Sequence, residues 1–323
     1  KKAFANSSKL NSIDLNYATM LEKIGDGAFA NTGISSVTFP SGPLSEIGSG
    51  AFFRCSNLSN VDFSNTAESP GIKLGCYAFS GCPIESISLD NVTAIHSHSG
   101  TGNAQCGIFT KQEDQNSVLK QVTFPSYNGT LPYGTFAGNN NLEYVRLDKP
   151  NATPYDVAAS GSGSEHNEED EFYYEPENFF IFGGTPSNSG PAAYLYAAKN
   201  GITYGYIKDG VLTYELTKNG YKYTFAVLND GECKITQIEK SQIVEPESEM
   251  IVPGKIAQYV VKEIASEAVD VETLSVPTKL SLPDTLQTIA DRAFVNMPNL
   301  TKVSWYDADN TASSPEITIG NEA

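Results

Sequence analysis

IGDGAF, residues 24–29, returns as IGSGAF at 47–52, as LGCYAF at 74–79 and as IADRAF at 289–294. Met once, a glycine pair around a short loop would suggest a phosphate cradle. Gly25-Asp26-Gly27, however, lacks the third glycine of a dinucleotide fingerprint. Recurrence at a near-constant interval marks a repeat architecture instead. Ala3, Ala28, Ala51 and Ala78 are 25, 23 and 27 residues apart, Ile108 and Thr135 continue the column weakly, and it resumes at Ala268, Ala293 and Ala323. Four places before stands an aliphatic residue, as in Ile24, Ile47, Leu74, Leu131, Ile264 and Ile289. An aromatic residue follows, as in Phe4, Phe29, Phe52, Phe79, Phe109, Phe136 and Phe294. The glycines are therefore expected to be turn residues between coil and strand.

A second phrase lies downstream: LNSIDL (10–15), ISSVTF (34–39), LSNVDF (58–63), IESISL (84–89), LKQVTF (119–124), LEYVRL (142–147) and LTKVSW (300–305). Its last two apolar residues are two apart and so share one face of a strand, while the residues between them point the other way. A strand this short cannot bury its face alone, but stacking at a constant period builds a continuous core. A period in the twenties is that of leucine-rich repeats.

The combined phrase, IGDGAFANTGISSVTFP (24–40), IGSGAFFRCSNLSNVDF (47–63) and IADRAFVNMPNLTKVSW (289–305), closely resembles the BspA-like type of leucine-rich repeat. The resemblance covers about 1–150 and 260–323 well and the middle in part. It implies export or surface attachment, in bacteria and some parasitic protists, with roles in adhesion and protein binding. The expected fold is a right-handed leucine-rich-repeat solenoid of short parallel strands and coil, with few short helices and one antiparallel β-meander.

The first domain is expected at 1–206. Its repeats fill about 1–150, with an enlarged fifth copy over 96–118. An acidic insertion follows at about 151–171, including SGSGSEHNEEDE (160–171), which has the composition of a solvated loop. A strand and helix then cap the array over about 172–206, and PAAYLYAAKNG (191–201) predicts the helix, with Pro191 in its first turn and Gly201 at its end. The second domain is expected at 207–323. Asp209-Gly210, Asn219-Gly220 and Asp230-Gly231 separate alternating segments and favour two-residue hairpin turns, which predicts a meander within 202–239 and up to about 248. From about 249 the chain returns to a second array, cut at ITIGNEA before the expected phenylalanine. The opening KKAFANSSKL already lies inside a repeat, so an export signal or anchor is expected outside this sequence.

The 323 residues are 40% apolar, as in folded proteins, and carry a formal net charge of −17. Such acidity disfavours nucleic acid and anionic membranes as partners, and no stretch is long and apolar enough to span a bilayer. Cys55, Cys76, Cys82, Cys106 and Cys233 follow no disulfide-scaffold or zinc spacing. Cys55 and Cys82 share one repeat position, and Cys76 and Cys106 another, at a separation that a disulfide would fit. Free packed thiols are the expectation for both pairs. His96 and His98 alternate but have no third ligand nearby, and the acids of 165–171 lack the spacing of a calcium loop. No catalytic motif occurs, and no cofactor or metal is expected. The sequons at Asn57 and Asn299 belong to the repeat consensus.

The strand phrase assigns Ile13/Leu15, Val37/Phe39, Val61/Phe63, Ile87/Leu89, Val122/Phe124, Val145/Leu147 and Val303/Trp305 to the core. Between them run outward ladders of small polar residues, which grow bulky only near Tyr144 and Arg146. Solenoids use such a concave face for binding, and Tyr and Arg are enriched at interface hot spots. Asn60, Asp62, Gln121, Thr123, Tyr144 and Arg146 are the candidate partner-binding residues. The leading function is a non-enzymatic recognition or adhesion module, extracellular or at the cell surface, that binds a protein partner through this face and the insertion loops. The alternatives are a glycan-binding surface protein, using aromatic platforms in 171–184 and 202–225, and a passive structural spacer.

Overall fold

The structure is a computed structural model. It describes residues 1–66, 70–96, 107–109, 118–132, 135–136, 138–139, 141–153, 179–186, 191–229, 231–269, 275–308 and 318–319. Most of the expected acidic insertion, His98 and Cys106 lie outside these residues. The chain divides into two compact units, Lys1–Pro176 and Glu177–Ala323.

In the first unit the repeats between Lys23 and Phe124 each supply two very short strands, and the next copy supplies one, β9 (Tyr144–Leu147). One set is β1 (Lys23–Ile24), β3 (Glu46–Ile47), β5 (Ile72–Leu74) and β7 (Val92–Ile95), which pair in parallel in that order. The other set follows the V-x-F phrase. β2 (Ser36–Thr38) pairs with β4 (Asn60–Asp62), and β6 (Ser86–Ser88) pairs with β8 (Gln121–Phe124), which pairs with β9 (Tyr144–Leu147), all in parallel. The first set was not anticipated, because a single aliphatic residue before a glycine carries no alternation. In the other direction, LNSIDL forms no strand, and Ile13 and Leu15 stay partly exposed.

Between the two strands lies the glycine-containing turn. Its conformation repeats: positive φ occurs at Gly27 and Asn31, at Gly50 and Arg54, at Tyr77 and Gly81, and again at Arg292 and Asn296. Alternate amides then bond to the next repeat, as in Gly27 N–H to Ser49 O (2.9 Å), Phe29 N–H to Ala51 O (2.8 Å) and Asn31 N–H to Phe53 O (2.8 Å). The coil is thus laddered like a sheet, which satisfies backbone groups that burial would otherwise orphan. The first glycine has a separate reason. A Cβ on Gly48 would sit 2.6 Å from Asp26 N, and one on Gly75 would sit 2.3 Å from Ser49 N. Glycine stands there because the preceding repeat's backbone leaves no room, not to cradle a ligand.

The phenylalanines that end the phrase form one stack. Phe4, Phe29, Phe52, Phe79, Phe109 and Phe136 follow one another at ring-centroid spacings of 5.3, 5.3, 5.5, 6.2 and 6.2 Å. The spacing widens on both sides of Phe109, in the enlarged fifth repeat. Three residues after Phe29, Phe52, Phe79 and Phe136 a polar ladder closes the turn. Thr32 Oγ1 and Cys55 Sγ both donate to Phe29 O (2.9 and 3.0 Å), Cys82 Sγ to Phe52 O (3.0 Å), and Asn139 Nδ2 to Phe109 O (2.8 Å). These contacts explain why thiols are used: each caps a carbonyl of the preceding repeat. Cys55, Cys82 and Cys233 are free, as expected for the first two, and burial pushes the Cys82 and Cys233 thiols up. The expectation fails at Cys76, which is disulfide-bonded.

The second unit opens with β10 (Phe180–Gly183), α1 (Ala192–Asn200) and β11 (Thr203–Lys208), and β10 and β11 pair in parallel across the helix. Gly201 is the left-handed C-cap, as the sequence predicts, and Pro191 is the N-cap, one residue before the first turn in which the sequence placed it. β12 (Val211–Lys218), β13 (Tyr221–Asn229) and β14 (Glu232–Lys240) extend an antiparallel meander from β11. Asp209, Gly210, Asn219, Gly220 and Gly231 adopt the positive φ that the hairpins require.

β14 then pairs in parallel with β17 (Tyr259–Ile264), which continues to β19 (Thr288–Ile289) and β21 (Thr318–Ile319), while β16 (Lys255–Ile256) pairs antiparallel with β17. β15 (Glu249–Ile251), β18 (Lys279–Pro283) and β20 (Lys302–Tyr306) form the companion parallel ladder. The meander and the second array therefore share one core, from Tyr214 and Tyr223 through Ile235 and Ile264 to Leu282 and Ala293.

A buried carboxylate fixes the start of this unit. Glu215 accepts hydrogen bonds from Tyr206 OH (2.7 Å) and Tyr194 OH (3.2 Å), and Lys222 Nζ lies 3.6 Å away. Burial, followed by the Glu215 contacts, raises both tyrosine pKa values. Tyr206→Phe is expected to cost roughly 1.5–3 kcal/mol, the range for hydrogen bonds to charged groups, measured by denaturant unfolding.

Candidate functional site

Backbone pairing sets the strand-face ladders of the first unit. Gln121 is registered between Ser86 and Tyr144, and Thr123 between Ser88 and Arg146. Beneath them Val122, Phe124, Val145 and Leu147 are fully buried. Alternation thus makes one side of these strands core and leaves the other for polar groups, of which Arg146 is exposed and Gln121, Thr123 and Tyr144 are half-buried. The two pairs form a four-residue patch on adjacent strands. Asn60 and Asp62 lie elsewhere, on β4, registered with Ser36 and Thr38 in the separate two-stranded sheet.

The patch is held by its own contacts. Tyr144 OH donates to Gln121 Oε1 (3.3 Å), Gln121 Nε2 donates to Glu143 Oε2 (3.2 Å), and Arg146 Nε pairs with Asp148 Oδ1 (2.7 Å). Lys120 pairs with Glu85 at its border. The Arg146 guanidinium is thereby oriented by a neighbour two residues away. On β4, Asp62 Oδ1 accepts the Ser64 amide (2.8 Å), a local turn contact.

Several expected features change. The aromatic residues of 202–225 proposed as sugar platforms are core residues: Tyr204, Tyr206, Tyr214, Tyr221, Tyr223 and Phe225 are all buried. The glycan reading loses its basis in 202–225, because a buried ring cannot stack on a ligand; of the other segment, residues 171–178 lie outside the described residues, and Phe180 and Phe182 are half-buried. Val303 and Trp305, placed in the core by their phrase, are 51% and 44% exposed. They continue the column of buried Leu280 and Leu282, but among the described residues β20 pairs with β18 alone, so the column is covered from one side only there. The sequence also hid an apolar hairpin end, where Ile207, Val211, Leu212, Val227 and Leu228 are exposed. Its signals were the adjacent pairs Val211-Leu212 and Val227-Leu228 beside the Asp-Gly turns, which break the alternation.

His96 follows β7. Among the described residues no group of three or more His, Cys, Asp or Glu could hold a metal. No described helix is long and apolar enough to cross a membrane. The sequon asparagines serve the repeat: Asn57 Nδ2 donates to Gly33 O (3.4 Å) and Asn299 Nδ2 to Ser275 O (2.6 Å).

Comparison with known proteins matches residues 1–104 and 271–314 to six copies of the BspA type leucine rich repeat region. No curated protein sequence matches the chain. Among solved structures, a leucine rich cell surface protein from Faecalibacterium prausnitzii is similar at 14% identity, over 92% of this chain and 86% of that one, with a TM-score of 0.30. A leucine-rich repeat protein from Bacteroides capillosus is 20% identical over 28% of this chain, with a TM-score of 0.23, and 64% of its own length is covered. The pneumococcal vaccine antigen PcpA is 13% identical over 88% of this chain and 56% of its own, with a TM-score of 0.28.

Proposed function

We propose that this leucine-rich-repeat protein is a non-enzymatic recognition module, secreted or displayed on a bacterial surface, that binds an extracellular protein through its strand face. Recognition is assigned to the first domain, residues 1–206, with 207–323 as a second array entered through the meander. The contact residues are Gln121, Thr123, Tyr144 and Arg146, with Asn60 and Asp62 on the separate strand β4 and the insertion loops about 96–118 and 151–171 as further contributors.

One observation carries this proposal: a registered polar patch that includes Tyr and Arg lies directly over a closed apolar core. Its backbone is fixed by hydrogen bonds on both sides of β8, so a partner would not have to order it, and pre-organisation of this kind lowers the entropic cost of binding. Hot-spot residues on a rigid, partly desolvated surface are what protein interfaces use. The BspA type repeat match supports the extracellular assignment through the resemblance already described.

The test is binding of the purified chain to immobilised extracellular glycoproteins before and after enzymatic deglycosylation. Binding that survives removal of the sugars is the expected result. Binding lost with them would overturn protein recognition in favour of a glycan.

A further inference from the structure

The second unit contains a cavity of about 520 Å³, within the roughly 300–1,000 Å³ range of small-molecule sites. It lies between the end of α1, the end of β12 and the segment that carries Tyr306. Lys199, Lys218 and Lys255 line it, and no aspartate or glutamate does. In a chain with 38 acidic and 21 basic residues, three lysines around one cavity stand out. Among the described residues none of the three forms an ion pair, whereas Lys23, Lys120 and Lys222 each do. Lys218 is only partly exposed, and its ammonium lies 6.0 Å from the centre of the Tyr306 ring. Burial holds its pKa below the usual lysine value with no compensating carboxylate. A cation kept half-buried without a counter-ion costs stability, and a ligand anion would supply the missing charge.

The remaining walls narrow the class. Leu216, Pro253 and the Tyr306 ring are apolar, while Thr217 and Asn219 offer polar groups beside Lys218. A multiply charged phosphate fits poorly. Helix α1 presents its C-terminal, negative end here through Gly201, and no arginine fork is present for bidentate binding. A single carboxylate on a ring with one apolar face matches the set better.

We propose that this cavity binds a carboxylated sugar, of the uronic or sialic acid type. The lysines hold its carboxylate, the Tyr306 ring packs on its C–H face, and Thr217 and Asn219 bond its hydroxyls. This site is separate from the strand-face patch and does not depend on it.

Calorimetric or NMR titration of the full chain tests it, with D-glucuronate, N-acetylneuraminate, D-glucose, acetate and sulfate at matched ionic strength. At least one acidic sugar is expected to bind tenfold or more tightly than glucose, acetate or sulfate, and the arm that binds identifies the acid type. Lys218→Met is expected to lose at least tenfold in affinity with an unchanged or higher melting temperature, and Lys255→Gln to weaken binding as well. If acetate and sulfate match the acidic sugars, the site takes an adventitious ion only and the proposal fails. It fails equally if both variants bind as the parent does.

Discussion

Gly75→Ala is expected to destabilise the first unit by roughly 3 kcal/mol or more, in the upper tail of point substitutions. The added Cβ would lie 2.3 Å from Ser49 N and 2.5 Å from Gly48 C, both backbone atoms of the preceding repeat. No rotamer relieves that contact. The repeats would have to separate locally, which breaks the amide ladder through Gly75 N–H to Ile47 O and Gly50 N–H to Cys76 O. Gly210→Ala is the control. A Cβ there meets nothing within 4 Å, but its φ of +79° still carries the left-handed penalty, about 1 kcal/mol. Guanidinium unfolding followed by circular dichroism separates the two. Equal, small effects would show that the first glycine of the phrase is not required for close stacking.

Phe52→Ala should cost about 3–5 kcal/mol, the usual range for a buried phenylalanine truncation. Its ring is fully buried, stacks on Phe29 and Phe79, and meets Phe39 edge-on at 6.1 Å. A cavity in the middle of the stack cannot collapse without shifting two repeats. Phe4→Ala removes the same side chain where it is 50% exposed and has one stacking neighbour, so a cost of about 1 kcal/mol is expected. The same unfolding assay measures both. Comparable losses would mean that the stack is not the principal packing element of the first array.

What the sequence could show follows from how local each feature is. The V-x-F strands, the Phe column, the helix from Pro191 to Gly201 and the Asn-Gly and Asp-Gly hairpins depend on periodicity and turn chemistry, and all were legible. The outward ladder was legible for the same reason, since alternation alone puts Gln121 and Tyr144 on one face. What stayed hidden depends on the position of a copy within its stack. Trp305 carries the same phrase as Phe124, yet β20, which pairs with β18 alone among the described residues, leaves it exposed where β8, paired on both sides, buries Phe124. The repeat phrase also gave no sign that β14 would pair with β17, which joins the meander and the second array in one sheet. Alternation in VLTYELT marked a strand, but not that both sides of the sheet would be covered from Tyr214 to Thr217. The cavity draws its three lysines from three separate segments, and no spacing could announce it.

The central claim is that the Gln121–Thr123–Tyr144–Arg146 patch makes the partner contact. Its most direct test is the affinity of Tyr144→Ala/Arg146→Ala for the extracellular protein that the parent chain binds most tightly on the deglycosylated array. Truncating two hot-spot residues at about 2 kcal/mol each predicts at least a hundredfold loss, with the melting temperature unchanged. Affinity equal to that of the parent chain, in a variant that still folds, would place the contact elsewhere and contradict the account.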